Sequence, residues 1–177
     1  MIILFRTDSY KGDFYDILSR ECGVNFDACN QHGIETEDFS EYLMTSGLVL
    51  NPLVTWVSYN GLFDYGYLLR ILTNAPLPIA GPTPEKPDTP LYSKFLGALE
   101  FYLKRCFDLK AIVGAAKGEA PKYQLKVMAQ VAGIPPLSPQ NQGGSNAMLT
   151  LGLFAKYYNE KVEKDMIFVL SGIDKRN

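Results

Sequence analysis

The stretch VTWVSYNGLFDYGYLLRIL, residues 54–72, constrains the fold of this chain more than any other. Val54, Trp56, Val57 and Tyr59 are β-branched or aromatic and read as a short strand, and Asn60-Gly61 breaks it. From Asp64 onward, Leu68, Leu69 and Leu72 fall on one side of a helix. A strand that turns directly into a helix is the working unit of an α/β sheet. Ligands of open α/β folds gather beyond the carboxyl ends of the strands, which is where Asp64 is expected to stand. A second short strand end, Cys106-Phe107-Asp108, precedes a helical turn over residues 109–113.

The remaining elements follow from periodicity and punctuation. Residues 1–5 are a short apolar strand, and residues 12–22 carry Phe14, Ile17 and Leu18 at helical spacing before Gly23 stops them. Residues 25–33 read as polar loop around His32, the only histidine, expected on the surface. Thr36 is the expected N-cap of the next helix, with Glu37 and Asp38 in its first turn. Phe39, Leu43 and Met44 form its stripe up to Ser46-Gly47, and residues 48–50 make a buried connection. Six prolines at 76, 78, 82, 84, 87 and 90 exclude regular structure from an exposed loop over 75–90. Helices are expected over 91–101 and again around Tyr123, Leu125, Val127, Met128 and Val131, closed by Gly133 and Pro135-Pro136. Residues 114–121 and 137–144 read as loops, and Ser145 as the cap of a helix with Met148, Leu149, Leu151, Leu153 and Phe154 inward. Residues 166–170 are a closing strand or a packed tail. Neither side of the proline-rich loop has a complete core, so the 177 residues form one domain.

Composition excludes several classes. With 47% hydrophobic, 12% aromatic and 20% charged residues, the chain is globular rather than disordered. No run of eighteen apolar residues exists to cross a bilayer, and Arg6, Asp8 and Lys11 follow the opening segment too soon for a secretory signal, so an intracellular chain is expected. Cys22, Cys29 and Cys106 have neither paired nor zinc-type spacing and read as reduced, buried thiols. A sole imidazole, distant from any strand-end serine or cysteine, gives little support to a Ser-His-Asp or Cys-His centre. No phosphate-binding glycine loop of the G-x-G-x-x-G or Walker type is present; Gln142-Gly143-Gly144-Ser145-Asn146 suits either an anion or a plain turn and cap. Charge is uneven. Residues 1–50 hold nine acidic side chains against three basic, whereas residues 94–126 hold seven basic against three acidic, a modest face for phosphate.

Asp64 and Asp108 are the candidates for chemistry, and helix capping explains either of them equally well. Phosphodiester hydrolysis by paired cations places the ions about 4 Å apart and requires several anionic oxygens. One or two carboxylates are too few.

Four segments, in order and spacing, carry a family resemblance: EYLMTSGLVL at 41–50, W-x-S-Y-N-G-L-F-D-Y-G-Y-L-L-x-x-L-T at 56–73, F-D-L-K at 107–110 and NQGGSNAMLT at 141–150. They closely resemble the Caf/Pop-type deadenylase, the ribonuclease subunit of the Ccr-Not complex, over nearly the whole chain. The resemblance implies a ribonuclease-H-like α/β fold of the DEDD exonuclease class, which removes poly(A) from its 3′ end with two divalent cations, Mg²⁺ or Mn²⁺. It further implies that the family's first motif, Asp-x-Glu, lies upstream of residue 1. The chain is then a truncated, single partial domain over 1–177: a mixed sheet missing its first strands, with a mostly helical remainder.

By the same resemblance, Asp64 is the second-motif Asp and the one retained metal ligand. The third-motif His and Asp correspond to Asn141 and Asn146, and a further family His to Asn60. Asparagine offers a carbonyl oxygen without charge and cannot take a proton from water. A nuclease-deficient chain is therefore expected, holding no tightly bound cofactor; the alternative is an active poly(A)-specific exoribonuclease. The partners implied are the Not scaffold, with Met44 on its contact surface, the Ccr-type deadenylase, and poly(A) RNA through Phe63, Tyr65 or the basic stretch. A membrane is not among them. The expected location is cytoplasm and nucleus. Loss of two strands implies that residues 1–5 are separated from the strand at 54–59 by about 10 Å.

Overall fold

A computed structural model of the protein describes residues 3–4, 16, 18–20, 23–76, 90–117, 124–135 and 143–171, and every structural statement below concerns these. Four strands and eight helices are delimited among them, and residues 16 and 18–20 are helical as well. In chain order the delimited elements are β1 (Ile3–Leu4), α1 (Phe26–His32), β2 (Ile34–Glu35), α2 (Thr36–Thr45), β3 (Trp56–Ser58) and α3 (Leu62–Thr73). These are followed by α4 (Pro90–Leu103), β4 (Cys106–Asp108), α5 (Leu109–Lys117), α6 (Leu125–Val131), α7 (Gly143–Tyr157) and α8 (Glu160–Asp165). The strands form two separate parallel ladders, β1 with β2 and β3 with β4. β1 therefore lies apart from β3 and β4, as the resemblance implied, but it is not left unpaired. Its partner is β2, a two-residue strand too short to leave a pattern in the sequence.

The β3–β4 ladder, in register Trp56↔Cys106 and Ser58↔Asp108, separates two apolar layers. Side chains alternate across a strand. Cys106 joins Leu43, Val49, Tyr65, Leu69, Leu72, Phe95, Leu99, Leu103 and Leu170 in one cluster. Phe107 points the other way, with its ring against Phe154 and Tyr158. On that side Leu109, Val113, Met128, Ala129, Leu149 and Leu153 form the second cluster. The ladder is thus covered on both faces, and both of its strands end at the same rim.

Several local expectations are corrected. Residues 26–32 are helix, not loop: Asn25 Oδ1 accepts the Ala28 N–H at 2.9 Å, Asp27 sits in the first turn, and Cys29 is buried. Glu35, not Thr36, holds the N-cap position of α2. Of residues 48–50 only Val49 is buried. Pro90 opens α4, where the missing N–H of proline costs nothing, while residues 77–89 of the proline-rich loop lie outside the described residues. α5 continues to Lys117, into the stretch 114–121 that reads as loop in the sequence. The buried side of α6 is Met128 and Ala129, with Val127 and Val131 exposed; on α7, Leu149 and Leu153 are buried while Met148 and Leu151 face solvent. Ser145 lies within α7, not at its cap. Residues 166–170 are packed tail, in which Phe168 N–H reaches Cys106 O at 2.9 Å.

Candidate functional site at the strand ends

At the carboxyl ends of β3 and β4, Ser58 and Asp108 stand opposite one another. Asp108 is fully buried, and its carboxylate gathers four backbone N–H groups from three parts of the chain. Oδ1 accepts from Asn60 at 2.8 Å and Lys110 at 2.9 Å, and Oδ2 accepts from Gly61 at 3.1 Å and Ser171 at 2.9 Å. A carboxylate has about four lone-pair sites. All are taken, so Asp108 serves as a backbone anchor with no oxygen left for a ligand.

The turn that Asp108 holds is over-determined. Asn60 has φ 61°, in the left-handed region that asparagine tolerates. A Cβ at residue 61 would lie 1.9 Å from Ser58 Oγ, so glycine alone fits. Gly61 is the N-cap of α3, which places Asp64 in the first turn, solvent-exposed, where the helix dipole favours a carboxylate. Asp64 is therefore not a cap, and it stands exposed in the first turn of the helix that leaves the rim. At the turn itself, Lys110 Nζ donates to Asn60 Oδ1 at 3.3 Å, bringing a positive charge to the strand ends.

Below the rim the polar groups are buried and kept neutral. Tyr65 donates its hydroxyl to Phe107 O at 3.1 Å, and burial first, then nearby Cys106 and Asp108, push its pKa up. Tyr65 is a core residue and cannot stack on a base; Phe63, 70% exposed, can. Burial pushes the Cys106 thiol up to about 12; the Tyr65 hydrogen bond opposes this shift and the Asp108 charge adds to it. Tyr59 is raised by burial and by Asp108, and its hydroxyl meets Met128 Sδ at 3.3 Å. Cys29 and Cys106 are both free and buried, and Cys22 lies outside the described residues.

The other sequence candidates are dispersed. α7, which carries Asn146, packs against β3, and Asn146 is half-buried with its carbonyl accepting Thr150 Oγ at 2.9 Å. Asn141 lies outside the described residues. Met44 is 38% exposed on α2, beside Tyr42 at 64% and ahead of Leu48 at 46%, while neighbouring Leu43 is buried. His32 is exposed, as expected. The basic stretch is partly committed: Arg105 pairs with Glu163 at 2.8 Å, and Lys104 lies 5.2 Å from the centre of the Phe101 ring. Lys110 faces Asn60.

Among the described residues, the strand-end rim does not supply the several anionic oxygens that two divalent ions need. Among the described residues no three His, Cys, Asp or Glu side chains converge. The rim offers the single carboxylate of Asp64, the anchored carboxylate of Asp108 is saturated by N–H groups, and an ammonium stands alongside. No helix among the described residues is long and apolar enough to cross a membrane.

No family model matches the chain. Among curated proteins it is similar to poly(A) ribonuclease pop2 of Schizosaccharomyces pombe, with 30% identity over 170 residues, covering 94% of this chain and 47% of that protein. The chain spans about half the length of the curated relatives it matches. Among solved structures it is similar to S. pombe Pop2p in its Mg²⁺ and Mn²⁺ bound form, with TM-score 0.79 and 29% identity, covering 98% of this chain and 65% of that one. It is also similar to a chain in the yeast NOT1 MIF4G domain co-crystallized with CAF1, with TM-score 0.62 and 25% identity, covering 85% of this chain and 53% of that one. Ladder, rim and relatives agree: the chain belongs to the Caf/Pop-type deadenylase family, with its ribonuclease-H-like fold.

Proposed function

We propose that this chain is a nuclease-deficient, deadenylase-like member of the family that keeps an association with a Not scaffold or with RNA, in the cytoplasm and nucleus. The observation that carries the first half is the rim chemistry: one exposed carboxylate, one saturated carboxylate and an ammonium where hydrolysis needs several anionic oxygens. The second half is supported by the individually exposed side chains of Tyr42 and Met44 on α2 and Leu48 in its following turn, and by a structural neighbour whose partner is the NOT1 MIF4G domain. Association with poly(A) or with a Ccr-type deadenylase belongs to the same reading and awaits its own binding assays.

The experiment is paired. Labelled adenylate oligomers incubated with the chain and Mg²⁺ or Mn²⁺ should stay full length, while a Not MIF4G domain should retain the chain on beads and lose it on Met44→Arg. Release of AMP that disappears in Asp64→Ala would instead establish an active exoribonuclease. That second reading is favoured by one observation, the exposed Asp64 on a fold shared with a Mg²⁺ and Mn²⁺ bound neighbour.

A further inference from the structure

Asp108 does more than fill a cap. Its Oδ2 is shared by two segments far apart in sequence: the turn before α3, through Gly61 N–H, and the packed tail, through Ser171 N–H. We propose that Asp108 is a positioning residue and residues 168–171 a strap, so that docking of the strap sets the Asn60–Gly61 turn and thereby the placement of Asp64. The inference stands on the fold and is independent of whether the chain binds RNA or a scaffold.

Three observations carry it. The turn has almost no conformational freedom of its own to give, because Asn60 is left-handed and Gly61 admits no side chain, and its two successive N–H groups both end on Asp108. The strap is held in a conformation it would not keep alone: Phe168 has φ 58°, which a bulky residue adopts only when its surroundings over-determine it. Those surroundings are the Cys106 carbonyl, which accepts Phe168 N–H, and the first core cluster, into which Phe168 packs and Leu170 is fully buried. If the strap lifts, Oδ2 keeps only the Gly61 bond, the longest of the four, on a carboxylate that must otherwise take in water. Anything that lifts residues 168–171, whether a partner or a modification, therefore loosens the turn that leads to Asp64.

The test is residue-resolved amide hydrogen exchange on the full chain. Ser171→Pro removes the N–H that the strap gives to Asp108 without touching the carboxylate; Phe168→Ala keeps the left-handed backbone penalty and removes the ring that packs the other end of the strap into the first core cluster. Both should speed exchange at Asn60 and Gly61 by about tenfold or more, the scale of one charge-assisted hydrogen bond, while amides in α6, which packs in the second core cluster, and at Ala28 hold their rates. Ser171→Ala keeps the N–H and should change neither. Unchanged rates at Asn60 and Gly61 in both variants would overturn the proposal, and so would an acceleration shared equally by α6, which would make the segment ordinary core.

Discussion

Asp108 shows how one side chain can take a catalytic-looking position for a structural reason. It stands at a strand end, the same kind of position that Asp64 was expected to hold. The four N–H groups that it accepts settle the matter, because a buried carboxylate so satisfied stabilises the backbone around it. Asp108→Asn keeps the shape but turns an NH₂ group toward N–H donors. Urea denaturation should show a loss of about 3 kcal/mol or more, a large part of a domain's whole stability. The thiol below it gives a second prediction. Cys106 is raised from 9.0 to about 12, so between those values the unfolded chain gives up its proton while the folded chain retains it. Stability should be fully present below pH 9 and fall as pH rises through that window, by about 1.4 kcal/mol per pH unit for this group. Cys106→Ala should flatten that part of a denaturation series; an unchanged slope would contradict the assignment. None of this was legible in the sequence, since what Asp108 accepts comes from residues 47 to 63 positions away as well as from Lys110 beside it.

At the level of elements, the sequence was legible where apolar periodicity was long and uninterrupted. The strand, turn and helix around Asp64 appear as β3, Gly61 and α3, and α3 ends at Asn74 in the left-handed conformation expected of a stop. α4 has Phe95, Leu99 and Leu103 at four-residue spacing, all fully buried. Short elements were missed for physical reasons. α1 has seven residues, mostly polar, and is held by its ends, so Asn25→Ala should melt it selectively, costing about 1 kcal/mol and unprotecting the Ala28 amide in exchange experiments. Buried faces were misjudged on α6 and α7 because valine and methionine look alike inside or out: Val131 is 81% exposed and Met148 49%. Ser145 illustrates the same limit, since its buried hydroxyl has no hydrogen-bond partner among the described residues and only the packing reveals it.

For the whole molecule, the recognisable segments were informative because they bracket the ladder and its rim: residues 41–50 form the end of α2 and its turn, 56–73 form β3 and α3, and 107–110 join β4 to α5. Family and fold could be read from their order, and the resemblance left Asp64 as the one retained ligand; that the oxygens of Asp108 are already satisfied could not be read. The central claim is that the rim of the β3–β4 ladder has too little uncommitted negative charge for a pair of divalent ions. Titration of the purified chain with Mn²⁺, followed by electron paramagnetic resonance, tests this without relying on any activity. The expected result is at most one weakly held ion, lost in Asp64→Asn. Two tightly bound, magnetically coupled Mn²⁺ ions per chain would contradict it.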